Sequence, residues 1–133
     1  MPDRRPPVPR DAGAVVAELA VVFPALLLIL LGVFQFAAWY LAGEVALGAA
    51  QEGARAARLR TGTEADGRAS AWRFIEQTNG GHLLAPQVRV ERGPDDVRVE
   101  VTGRAASLLP GLSLPVRHTS AGEVERFRGE DEG

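Results

Sequence analysis

LAVVFPALLLILLGVFQFAAWYLAG, residues 19–43, is a run of 25 residues without a formal charge. As a helix it measures about 37 Å, against about 30 Å of bilayer hydrocarbon, so it can cross a membrane with some tilt. A cleavable secretory signal would have a shorter apolar core, of about 7 to 15 residues. Arg4, Arg5 and Arg10 precede the run, and Arg55, Arg58 and Arg60 follow it. Arg10 lies nearer the hydrocarbon than any downstream arginine, which orients the N-terminus toward the cytoplasm. Trp39 and Tyr40 then fall at the far end of the span, where amphipathic rings suit the headgroup layer. The remaining chain is expected outside the membrane.

A chain of 133 residues is long enough for one small domain and an appendage, and too short for two ordinary domains. With no cysteine it can form no disulfide, Cys-ligated zinc site or thiol nucleophile. All 15 basic residues are arginine, spread singly apart from Arg4-Arg5. With a net charge of −2 and no basic patch, nothing points to a nucleic-acid partner.

Four parts follow from the composition. Residues 1–13, rich in proline, form a cytoplasmic leader. Residues 14–60 form a transmembrane helix and its extracytoplasmic extension, because Ala, Leu, Glu, Gln and Arg continue to about Arg60 without a proline. Residues 61–128 form a small extracytoplasmic head, and residues 129–133 an acidic tail. The expected fold class is α+β: a long N-terminal transmembrane helix, one further helix and a two- or three-stranded antiparallel β-meander.

Along the long helix, Ala38, Ala42, Ala46, Ala50 and Ala54 recur every four residues, with Gly53 and Ala57 alongside. Small residues at this spacing let another helix approach closely. An alanine-rich composition is the alternative source of the pattern. After Thr61-Gly62, Thr63 and Asp66 form a candidate capping box for a second helix from Glu64 to about Gln77. Its apolar side reads as Ala65, Ala69, Trp72 and Ile75, and Asn79-Gly80-Gly81 ends it. Residues 87–91 and 97–102 alternate apolar and polar about a Gly-Pro-Asp turn, which predicts a hairpin with one buried face. A third strand is expected from about Leu114 to Phe127, with Gly122 marking a bulge or break. So small a head is marginal alone, and packing on the outer half of the long helix would enlarge its core.

Catalytic chemistry has little to draw on. His82 and His118 are far apart in sequence with no ligand motif around them, so no metal site is expected. No serine stands in a G-x-S-x-G context and no glycine loop has phosphate-binding form. Neither a catalytic residue nor a cofactor site is assigned, and the chain is read as no enzyme.

Glu18 is the one charged residue inside residues 13–32. A carboxylate at the edge of a span can snorkel; placed deeper it costs about 2.5–3.5 kcal/mol on insertion scales unless it finds a positive partner. Gly13 followed by Ala14-Val15-Val16-Ala17-Glu18 resembles the processing site of type IV pilin-like proteins, in which a membrane aspartyl peptidase cuts after the glycine. Glu18-Leu19-Ala20-Val21-Val22-Phe23-Pro24, the leucine run, Gly32 and Ala49-Ala50-Gln51-Glu52-Gly53-Ala54-Arg55-Ala56-Ala57 resemble the TadE-like family of pilus assembly proteins. In this likeness Gln35 stands where many relatives carry an acidic residue, and Leu19 where processed pilins carry an aromatic. The resemblance implies a small single-pass protein of the bacterial cell membrane, working with the tight-adherence (Flp) pilus machinery. It also implies that cutting between Gly13 and Ala14 creates an amine for which Glu18, on a neighbouring subunit, is the counter-charge.

The expected function is that of a pseudopilin or minor pilin-like component of a type IVb pilus assembly system. It would act by lateral helix packing, with other pilin-like subunits and prepilin peptidase as partners. The alternative is an unprocessed single-pass envelope scaffold or binding protein.

Overall fold

The computed structural model describes residues 2–7 and 10–126. The expected acidic tail at 129–133, and the end of the expected third strand at Phe127, lie outside the described residues. The elements run α1 (Arg10–Arg58), α2 (Glu64–Thr78), β1 (Leu83–Arg92), β2 (Asp96–Ala105) and β3 (Leu114–Glu123), an α+β layout.

The chain divides into two compact units, Met1–Phe34 and Gln35–Gly133. In the first, α1 begins at Arg10, about a turn before the expected start near Gly13, and Asp11 in its first turn suits the positive end of the helix dipole. Pro24 lies inside the helix. It removes the N–H that would bond the Ala20 carbonyl, a loss that membrane helices tolerate through local adjustment. The apolar side chains of this unit, among them Val21, Phe23 and Leu28, are exposed. By length and composition the helix is able to cross a membrane.

The second unit takes in α1 from Gln35 onward together with everything described after it, so the outer part of the helix belongs to the head. The head is a three-stranded antiparallel meander in the order β1-β2-β3. Alternation gives the sheet one buried face, carrying Val90, Val97, Val99, Val101, Ala105 and Val116, and one wet face carrying Arg89, Arg98, Arg104, Arg117 and Thr119. On the wet face Arg117 pairs with Glu100 at 3.3 Å.

Two helices supply the core opposite the buried face. Ala42, Val45, Ala46, Ala49, Ala50, Ala54 and Ala57 of α1 are all buried, as are Gly67, Ala71 and Ile75 of α2. The capping box at the start of α2 forms with both of its hydrogen bonds: the Asp66 N–H donates to Thr63 Oγ1 and the Thr63 N–H donates to Asp66 Oδ2. At the far end the Asn79 side chain extends the structure into β1, donating from Nδ2 to the Leu83 carbonyl and accepting the Leu83 N–H.

Two local expectations are corrected. Of the expected apolar side of α2, Ile75 is buried and Trp72 packs half-buried against the core, but Ala65 and Ala69 are exposed and Gly67 and Ala71 take the buried face instead. The reason is a close crossing with α1, which selects the face holding the glycine. Gly122 sits in regular register opposite Val97, and its missing side chain leaves room for Arg58, whose Cδ would lie 2.7 Å from an added Cβ. The irregularity lies in β1 instead, between Leu84 and Gln87, where Ala85 has φ 49° and precedes Pro86.

Candidate functional site

Gly13, Ala14 and Glu18 all lie exposed on α1. Ala14 and Glu18 are four residues apart and so share one helix face. A Cβ added at Gly13 would meet nothing within 4 Å, so local packing does not require glycine there. Among the described residues Glu18 makes no ion pair.

The small-residue repeat lies mostly in the second unit's core. Ala42, Ala46, Ala50 and Ala54 are buried there, Gly53 with them, and Ala38 is half-buried. Their close packing is made within the chain, against the sheet and α2, and the sequence had left open what would approach them. A strict four-residue step drifts by about 40° per repeat around a helix of 3.6 residues per turn. The buried stripe therefore also enlists Val45, Ala49 and Ala57, and it leaves Ala38 at its edge.

Trp39 and Tyr40 are exposed, and Trp39 packs tilted against Phe36 with ring centroids 6.0 Å apart. Beside them lies a cleft of ≈ 330 Å³ whose other walls include Gly43, Pro115, Val116 and His118. His118 lies on the inner face of β3, close enough to Gly43 that an added Cβ would sit 3.3 Å from its Nε2. Among the described residues no group of three His, Asp or Glu side chains gathers where it could hold a metal ion.

Gln35, noted in the sequence only for standing where many relatives carry an acidic residue, has a structural role that sequence reasoning did not assign. It is 5% exposed, the one buried polar side chain among the described residues. Its Nε2 donates to the Ala106 carbonyl at 3.1 Å, and its Oε1 accepts the Leu108 N–H at 3.0 Å. The side-chain amide thus ties α1 to the loop between β2 and β3. The sequence marks it only as a lone amide within 25 uncharged residues and gives no local sign of its partners.

A carboxylate at this position could accept from Leu108 but could not donate to Ala106. Gln35→Glu is therefore expected to cost about 1–3 kcal/mol, the penalty of a buried group left without its partner. Gln35→Leu leaves both backbone groups unpaired and is expected to cost at least as much. Hydrogen exchange of the full chain in detergent checks this: the segment 106–112 should exchange about tenfold faster or more in both variants, since about 1.4 kcal/mol is a factor of ten.

Comparison with curated proteins and with solved structures finds no match to this chain. A protein-family model does match, over the segment that holds Gly13, Glu18, the uncharged run, Gln35 and Gly53. That match implies involvement in tight-adherence (Flp) pilus assembly and an association with the membrane. Over residues 13–55 the chain is similar to the family described as TadE-like protein.

Proposed function

We propose that this chain is a pseudopilin or minor pilin-like subunit of a tight-adherence pilus assembly system, held in the bacterial cell membrane by α1 with its N-terminus cytoplasmic and its head outside. The observation that carries the reading is the TadE-like match over residues 13–55, which includes both the Gly13–Ala14 bond and Glu18. The protein acts by assembly and not by catalysis. Because the alanine stripe is occupied by the head's own core, lateral contact falls to residues 14–34, whose large apolar side chains are exposed on α1. Cleavage after Gly13 by a prepilin peptidase places an amine on Ala14, and Glu18 of an adjacent subunit neutralises it in a medium where an unpaired charge is costly.

Two measurements test this. The intact mass of protein extracted from membranes of a host with its own prepilin peptidase should correspond to a chain starting at Ala14. A retained leader would favour the fixed envelope scaffold instead. Glu18→Ala should insert into the membrane like the parent and reduce pilus assembly; full piliation by that variant would remove Glu18 from the mechanism.

A further inference from the structure

The loop between β2 and β3 is apolar and tied to the helix. From Ala105 to Val116 the chain carries no charge, and arginines, Arg104 and Arg117, flank it on both sides. Leu108 is 58% exposed and Leu112 38% exposed at its tip, an arrangement that would be unfavourable in water.

Its backbone is suited to an apolar surrounding. The Ala106 N–H donates to the His82 carbonyl, the Leu108 N–H to Gln35 Oε1, the Leu109 N–H to Ser107 Oγ and the Leu112 N–H to the Leu109 carbonyl. Ser107 Oγ in turn donates to the Leu109 carbonyl at 2.8 Å. Pro110 has no N–H to satisfy, and Gly111 takes the positive φ of 79° that closes the turn. Backbone groups that enter hydrocarbon must be satisfied internally, and the N–H groups of the loop's leucines, Leu108, Leu109 and Leu112, all are.

Gln35 fixes the depth of the loop. Counting about 20 residues for a helical crossing from the edge marked by Glu18 brings the far boundary of the hydrocarbon to about Ala38. Gln35 lies within a turn of that boundary, so the loop it holds lies there too. Phe36, Trp39 and Tyr40 are exposed at the same level of α1.

We propose that residues 107–113 form a lipid-inserted loop, with Leu108 and Leu112 entering the hydrocarbon edge of the leaflet at the C-terminal end of the span. Trp39 and Tyr40 accompany it in the headgroup layer, and Arg104 and Arg117 meet lipid phosphates at its two ends. This inference rests on the reading of α1 as membrane-spanning.

The absence of cysteine makes the test direct. The full chain carrying Leu108→Cys, an exposed position, is labelled with an environment-sensitive fluorophore and reconstituted into phosphatidylcholine–phosphatidylglycerol vesicles. Parallel labels sit at Leu28→Cys in the span and at Thr119→Cys on the wet face of β3. Quenchers are a nitroxide on the acyl chain near the ester, and iodide on both sides of the membrane. The label at position 108 is expected to shift to the blue, to lose fluorescence with the nitroxide and to be spared by iodide, while that at 119 behaves in the opposite way. Iodide quenching at 108 equal to that at 119 would place the loop in water and overturn the proposal. Protection of 108 from both quenchers would overturn it in favour of a contact with a second copy of the chain. The label at 28 separates the failures: if nitroxides quench it, the span stands even where the loop proposal falls, and if iodide quenches it both fall together.

Discussion

A fragment covering residues 61–126 is expected to remain unfolded, whereas one covering residues 35–126 folds. Of the sixteen buried apolar residues that form the core, seven come from α1, from Ala42 to Ala57. They cover the sheet face that carries Val97, Val99 and Val101, each 0% exposed. Uncovering a buried valine costs about 1.5–3 kcal/mol, so exposing these three together costs about 5–9 kcal/mol. A domain this small has only about 5–15 kcal/mol in total, and usually less. Two further ties would go with the helix: the Arg92 Nε donor to the Ala57 carbonyl and the Glu125 N–H donor to the Arg58 carbonyl. Starting at Gln35 keeps all of these and the tie to the β2–β3 loop. Circular dichroism and a thermal melt of the two fragments in mild detergent decide the matter. A cooperative transition in residues 61–126 alone would show that the sheet and α2 hold a core without α1.

Much of the fold was legible in the sequence because the features concerned are local. Absence of charge defines the apolar part of α1, Thr63 and Asp66 define the start of α2, and alternation about Gly93-Pro94 defines the β1–β2 hairpin. Where reading failed, the deciding contact lay elsewhere in the chain. The expected strand at 87–91 starts at Leu83 because the bulge at Ala85 and Pro86 interrupts the alternation that signals a strand. Gly122 looked like a break because the sequence does not reveal that Arg58 packs over it. Of the candidate site residues, Gly13 and Glu18 stood out by resemblance to a pilin processing site, and Trp39 and Tyr40 by their place at the end of the uncharged run. The role of Gln35 was not legible, since its partners, the backbone of Ala106 and Leu108, are 71 and 73 residues away. The alanine repeat announced close packing but not its object, because small residues suit a sheet of the same chain as well as a helix of another.

Gly53→Leu is expected to abolish the folded head, and Gly53→Ala to destabilise it despite improving the helix. Taken alone, alanine in place of glycine gains about 0.8–1.0 kcal/mol in a helix interior. Here a Cβ would lie 2.9 Å from the Gly67 carbonyl oxygen and 3.1 Å from both Ala71 Cβ and Val99 Cγ1. The contact is reciprocal: a Cβ on Gly67 would lie 2.8 Å from Ala57 Cβ and 3.0 Å from the Gly53 carbonyl oxygen. Two helices meet backbone to backbone at these glycines, over the central strand, so neither can give way by turning a side chain. Overpacking of this kind costs about 1–3 kcal/mol for small additions, which exceeds the gain in propensity. Urea unfolding of the full chain should therefore show a lower midpoint for Gly53→Ala and for Gly67→Ala, and no folded baseline for Gly53→Leu. The double variant should depart from additivity by about 0.5–3 kcal/mol, since one displacement of α2 relieves both clashes. If Gly53→Ala raised the midpoint, the close crossing of α1 and α2 would have to be abandoned, and with it the account of why the buried face of α2 is the one that carries Gly67.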